Sequence, residues 1–228
     1  RLARPHGRDP GARRGEDRDG APRWVRLHGG GSPRHEAPEV AAPCRPFLKW
    51  VGGKRQLLPA LLAHAPTSFG RYFEAFVGGG ALFFQLRPRS AVLADANERL
   101  IRTYRGVRDD VDGVIDLLKR YPYESRFFYR MRDVDIDRRS DVEVAAWMIY
   151  LNRACFNGLY RVNKANRFNV SFGRYTNPTI CDPENLRACS AALRDVELVV
   201  GDFSTATGGA RRGDFAYFDP PYVPLSAT

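Results

Sequence analysis

Asp219-Pro220-Pro221-Tyr222 follows directly on the apolar run at residues 215–218. Open α/β sheets bind their ligands beyond the carboxyl ends of the strands, which is where this tetrapeptide falls. The two prolines fix the backbone, so the Asp219 carboxylate and the Asp-Pro carbonyl keep one orientation. Two acceptors held in that way suit an amino group on a planar base, and Tyr222 adds a flat stacking surface. A surface turn is the plainer alternative, because Asp-Pro and Pro-Pro are both turn dipeptides.

Three further blocks carry chemistry. Glu74-Ala75-Phe76-Val77-Gly78-Gly79-Gly80 ends the first candidate strand. Bare glycines there let a ligand approach the backbone, and Asp95 after the next strand can take ribose hydroxyls. GxGxxG is absent, and a glycine turn that serves packing alone competes with this reading. Phe47-Leu48-Lys49-Trp50-Val51-Gly52-Gly53-Lys54 places paired glycines and a lysine before a helix. This suits an anion or ligand at a helix start but does not match GxxxxGK[ST]; a packed Trp50 with a solvated Lys54 is the alternative. Residues 144–181 contain five basic side chains (Arg153, Arg161, Lys164, Arg167, Arg174) and no acid, whereas residues 109–143 carry ten acids and seven bases. Asn and Arg interleaved with aromatics are the side chains that read base edges and hold phosphates. A solvated basic face explains the charge but neither the asparagines nor the aromatics.

The elements that position these blocks are legible from spacing. Residues 54–65 have leucines at helical spacing, with Pro59 near the first turn. Residues 72–76 predict a strand, 81–86 a helix, 91–94 a strand, and the sequence then runs as one long amphipathic stretch to Tyr121. Strand, glycine turn, helix, strand, acid is the opening of a Rossmann-like α/β sheet. Residues 123–180 lose the strand–helix alternation and hold one clear helix, at 142–156. Asp182-Pro183 predicts an N-cap and first-turn proline for a helix through Leu193, and 197–200 and 215–218 return to strand. The pattern predicts a Rossmann-like α/β sheet domain at 44–122 and 182–228, interrupted by an inserted, mainly helical subdomain at 123–181. The chain stops six residues after Tyr222, where a doubly wound sheet normally continues, so an incomplete sheet, exposed apolar sheet surface and weak or no activity are expected.

The 228 residues carry 36 Lys and Arg against 26 Asp and Glu, a net charge of +10 that favours a polyanionic partner such as nucleic acid. Residues 1–43 hold nine Arg, no Lys and thirteen Gly or Pro, which predicts a disordered basic arm or a non-native extension. No apolar run approaches a membrane span, no signal peptide is visible, and the four cysteines form no CxxC pair and have no His at metal spacing. Secretion, metal and membrane roles are therefore not expected.

Taken together, FLKWVGGK, the glycine motif, LADAN, LNRACFNGLYRVN, FNVSFGRY and DPPY, in this order over residues 46–228, resemble the Dam-type DNA adenine-N6 methyltransferases. The resemblance implies S-adenosylmethionine as methyl donor and double-stranded DNA as substrate, with GATC the expected site. It implies a donor site from Trp50, Lys54, Glu74, Gly78, Gly79, Gly80, Asp95 and Asp219. Asp219, Pro220, Pro221 and Tyr222 would act on an adenine turned out of the duplex, by direct in-line transfer. A recognition hairpin would supply Lys49, Arg153, Phe156, Asn157, Leu159, Arg161 and Asn163 to DNA, with Leu159 wedging between bases and Arg161 reading a guanine edge. A monomer without metal, in a bacterial or phage-infected cytoplasm and near the nucleoid, is also implied. The sequence departs from the family pattern at Ala75, where proline is usual, and at Ser171, where proline is common. Competing expectations are transfer to cytosine N4, a non-catalytic DNA-binding remnant, and a nicotinamide oxidoreductase, which the missing GxGxxG disfavours.

Overall fold

The computed structural model describes residues 43–50 and 56–220, together with the backbone of Val25 and Arg26. In chain order the elements are β1 (Val25–Arg26), α1 (Leu58–His64), β2 (Tyr72–Glu74), α2 (Ala81–Leu86), β3 (Ala91–Asp95), α3 (Glu98–Asp109), α4 (Val111–Arg120), α5 (Ser125–Arg132), α6 (Asp141–Ala154), α7 (Pro183–Leu193), β4 (Val196–Val200), α8 (Phe203–Thr207) and β5 (Phe215–Tyr217). The strands order β1-β5-β2-β3-β4. β5, β2, β3 and β4 are mutually parallel, and β1 pairs antiparallel with β5. The fold is mixed α/β, Rossmann-like, around a small four-stranded parallel sheet. Ala91, Val92, Leu93 and Ala94 are all buried, as an apolar run must be when helices cover both faces of a strand. The parallel register sets Glu74 beside both Leu93 and Tyr217, so the carboxyl ends of β2, β3 and β5 lie on one edge.

Local chemistry explains where the helices begin. Asn97 caps α3 by accepting from the Leu100 N–H, and Ser140 with Glu143 forms a reciprocal capping box on α6. Asp182 caps α7, whose first turn holds Pro183, as its sequence predicts. The expected single amphipathic stretch to Tyr121 is instead two helices. Asp110 leaves helical geometry (φ −149°, ψ 68°) and its carboxylate accepts from the Gly113 N–H, so it ends α3 and caps α4 at once. The region expected to hold one clear helix holds two: α5 precedes α6 and buries Phe128. Its apolar stripe is too narrow to register as a period. The tail of that region is an irregular hairpin, with antiparallel bridges Cys155↔Phe172 and Val162↔Phe168. The expected disordered arm lies outside the described residues, apart from the β1 backbone.

α3 and α6 form the most extensive helix pair, and their buried side chains join those of β2 and β3 in one hydrophobic cluster. Trp147, Tyr150, Tyr104 and Ile101 are all buried in it. The helices approach closely because Gly106 has no side chain: a Cβ there would collide with the Asp141 carbonyl oxygen and stand 2.8 Å from Ala145 Cβ. Among the described residues no helix is long and apolar enough to cross a membrane, and no group of three His, Cys, Asp or Glu is placed to hold a metal.

Alanine in place of a mid-helix glycine ordinarily gains about 1 kcal/mol from propensity. At position 106 the collision with main chain outweighs that gain, since overpacking costs about 1–3 kcal/mol. Gly106→Ala is therefore expected to lower the urea midpoint, and an unchanged or raised midpoint would refute the close α3–α6 contact.

Candidate functional site

The turn after β2 is built on two left-handed residues, Gly78 (φ 46°) and Gly80 (φ 64°), closed by the Gly80 N–H on the Val77 carbonyl at 2.7 Å. A side chain is strained in that backbone region, so glycine is demanded by conformation. Asp95, at the end of β3, braces the turn. One carboxylate oxygen accepts from the Gly78 N–H (3.2 Å) and the other from the Asn97 N–H (2.9 Å). Burial pushes the Asp95 carboxyl up, while these two donors pull it down. A carboxylate has about four acceptor positions, so two remain for a ligand hydroxyl.

Trp50 explains the third constraint on these glycines. A Cβ on Gly78 would stand 2.6 Å from Trp50 Cδ1, and one on Gly79 3.3 Å from Trp50 Cβ. Behind the turn, the buried Tyr104 hydroxyl donates to the Gly78 carbonyl at 3.1 Å. Trp50 also stacks on Tyr160, with centroids 5.4 Å apart and planes 19° from parallel. The indole thus joins the glycine turn to the segment expected to meet DNA. The packing reading of the glycines is seen directly here, because bare backbone is what admits the ring.

Glu74 is buried at 3% exposure and accepts from the Tyr72 hydroxyl at 2.8 Å. Burial pushes its carboxyl up to about 8, and the nearby Asp219 charge adds to the rise. Asp219 follows β5 and is half-buried, with Pro220 exposed beside it. Pro221, Tyr222 and Lys54 lie outside the described residues. The same edge carries an apolar feature missed in the sequence: Phe203, 54% exposed at the start of α8, meets Phe218 edge-on. The Gly201 N–H on the Asp95 carbonyl fixes α8 close to Asp95.

The predicted DNA-facing residues divide into two groups. Phe156 (55% exposed), Asn157, Arg161 and Asn163 are exposed. Asn157 (φ 54°) and Gly158 (φ 64°) make the turn that opens the hairpin. Arg161 is held on the hairpin by Asn169, whose side-chain oxygen accepts from its Nε at 2.7 Å. Asn163 shapes the tip by accepting from the Ala165 and Arg167 N–H groups. Arg153 is half-buried and donates to the Phe47 carbonyl (2.8 Å), and Leu159 is half-buried against the core. Lys49 is exposed, and its ammonium lies 5.0 Å from the centre of the Tyr175 ring. Arg99, which nothing in the sequence singled out, pairs with Asp137 and donates to the Asn166 carbonyl (2.6 Å), so α3 holds the hairpin tip.

A family model described as D12 class N6 adenine-specific DNA methyltransferase matches residues 50–228. The chain belongs to that family. Type II methyltransferase M1.LlaDCHI of Lactococcus lactis subsp. cremoris is 47% identical over 192 residues, covering 81% of this chain and 68% of that protein. Type II methyltransferase M.MjaIII of Methanocaldococcus jannaschii is 39% identical over 205 residues (81% and 71%). DNA adenine methylase of Serratia marcescens is 36% identical over 188 residues (81% and 69%). The chain is thus an adenine-specific DNA methyltransferase by family.

The Glu74 carboxyl yields a pH prediction for this methyltransferase. Its folded value of about 8 lies above its ordinary 4.5, so folding takes up a proton between those limits. Its contribution to stability is therefore complete below the ordinary value and is lost as pH rises through about 8. Glu74→Gln removes the titration. Urea midpoints measured from about pH 5 to about pH 8.5 should fall less steeply in the variant, and parallel slopes would refute the assignment.

Proposed function

We propose that this methyltransferase transfers a methyl group from S-adenosylmethionine to N6 of an adenine turned out of duplex DNA, within a short site, GATC. The observation that carries the reading is the meeting, at Trp50, of the carboxyl-edge site and the hairpin that bears Arg161. Residues 123–181 are the part that reads the sequence, and the sheet domain around them is the part that performs the transfer.

The residues present fit the donor. Asp95 keeps acceptor positions for ribose hydroxyls, the glycine turn holds Asp95 in place through the Gly78 N–H, and Phe203 offers an exposed ring for a purine. Trp50, Lys54 and Glu74 complete its surroundings. When bound, S-adenosylmethionine supplies a methyl group made electrophilic by the sulfonium.

The chain's own task is to position and stabilise the base. Asp219 and the Asp-Pro carbonyl accept the two N6 hydrogens, which turns the nitrogen lone pair toward the methyl carbon, and Tyr222 stacks on the ring. The Asp219 charge also favours the positive charge that develops on nitrogen, before one amino proton is lost. No cysteine is needed, because no covalent intermediate with the protein forms. On the DNA side Leu159 and the exposed Phe156 offer apolar groups to fill the gap the base leaves, and Arg161 donates to a guanine edge. Lys49, Arg153, Asn157 and Asn163 flank that contact. We assign the active form as a monomer. The Type II names of two relatives support a partnership with a restriction endonuclease.

Expression in cells lacking adenine methylation, followed by nucleoside mass spectrometry and sequencing, tests the proposal. N6-methyladenine confined to GATC is expected. Asp219→Ala should lower the rate by about 100-fold or more, the scale of losing one aimed electrostatic group. Arg161→Ala should cost about 1–3 kcal/mol of discrimination at the guanine while sparing donor affinity. N4-methylcytosine as the product would overturn the reading, and N6-methyladenine elsewhere would overturn the GATC assignment alone.

A further inference from the structure

Asn152 lies at the last turn of α6 and is 1% exposed, one of few polar side chains in the core. Its side-chain oxygen accepts from the Lys49 N–H at 2.8 Å. Its side-chain nitrogen donates to two carbonyls, those of Lys49 (2.8 Å) and Gly158 (2.8 Å). One amide therefore closes a two-way clasp on the Lys49 backbone before Trp50 and binds the turn that opens the hairpin. Each of these contacts is to main chain, so the clasp fixes backbone position whatever side chains stand there.

Other contacts press the same two segments together. A Cβ on Gly158 would collide with Lys49 Cδ and stand 2.8 Å from Lys49 Cβ, so the lysine stem lies directly on the turn. The Lys49 ammonium reaches over Tyr175, whose hydroxyl donates to the Cys155 carbonyl at 3.1 Å. Neighbouring Arg153 holds the Phe47 carbonyl. The segment at residues 47–50 and the turn at 155–158 thus form one joint with Asn152 at its centre.

We propose that Asn152 is a positioning residue that couples the two substrates: by tying the Trp50 segment to the base of the hairpin, it makes engagement of DNA by the hairpin tighten the seat of the methyl donor. This rests on the functional reading above, in which Trp50 borders the donor and the hairpin enters DNA. Asn152 touches neither substrate. Its amide is suited to the task because it accepts from one segment and donates to both, which neither Asp nor Leu of similar size reproduces. Coupling of this kind is a ratio of affinities and is reciprocal between the two ligands.

The test measures S-adenosylmethionine affinity by calorimetry on the full chain, with and without a GATC duplex. In the unaltered protein the duplex should tighten donor binding by about fivefold or more. In Asn152→Leu the ratio should fall to within about twofold of one, with donor affinity in the absence of DNA changed much less. Gly158→Ala loads the same joint from the hairpin side and should also reduce the ratio. A merely structural role would lower the melting temperature of both variants and leave the ratio intact, which would overturn the proposal. Equal donor affinities with and without duplex in the unaltered protein would overturn it too. Absence of donor or duplex binding would instead sink the functional reading itself, and the inference with it. Should the variants fail to fold, hydrogen exchange of the Lys49 amide in the unaltered protein decides: slower exchange on adding duplex is expected, and unchanged exchange overturns the coupling.

Discussion

The face of Gly78 against the edge of Trp50 is the contact on which the functional edge depends, because no side chain fits between them. It requires a left-handed turn, and the turn requires partners for its main-chain groups. Asp95 takes the Gly78 N–H and Tyr104 reaches the Gly78 carbonyl, so β3 and α3 are both committed to holding this one loop. The strand ends, the buried Tyr104 and the segment before Trp50 follow as consequences. Stacked on the same ring, Tyr160 carries the arrangement into the hairpin. A sheet, a helix and an irregular hairpin are thereby aligned through a single indole.

The charge pattern has an equally physical basis. The acids between residues 109 and 143 are partly occupied by arginines of α3: Arg99 with Asp137, and Arg102 with Asp141. These pairs neutralise the acidic segment where it lies on the body of the protein. Beyond α6 no acid follows until Asp182, and Arg161, Lys164, Arg167 and Arg174 are exposed. A positive field is left along the hairpin, where phosphates would be met.

Much of this was readable from the residues. The helix 81–86, the strand beginning at Ala91 and the Asp182-capped helix ending at Leu193 were placed to within a residue, because each carries a local signal: a glycine start, an unbroken apolar run, an Asp-Pro cap. The break at Asp110 was not legible, since apolar spacing continues across it and only the competition of its carboxylate for the Gly113 N–H ends the helix. α5 and α8 were missed because each buries a single side chain, Phe128 and Ala206, which leaves no apolar period to read. At the candidate site, the motif residues stood out because their types are unusual together. Asn152 and Arg99 escaped because they bind main-chain groups, at Lys49 and Asn166, that lie far away in sequence and leave no mark on spacing. The polar Asn152 after the apolar run 144–151 was the only hint of a buried amide.

The hairpin is anchored at its base by Asn152 and near its tip by Arg99, both through its own main-chain carbonyls. Arg161, Lys164 and Arg167, between or beside these anchors, stay exposed and contribute nothing to the core. Anchorage and the proposed reading are therefore written in different atoms of the same segment. On the proposed reading, these side chains can be exchanged one at a time while the grip on the scaffold persists, so new target preferences become accessible without passing through an unfolded ancestor.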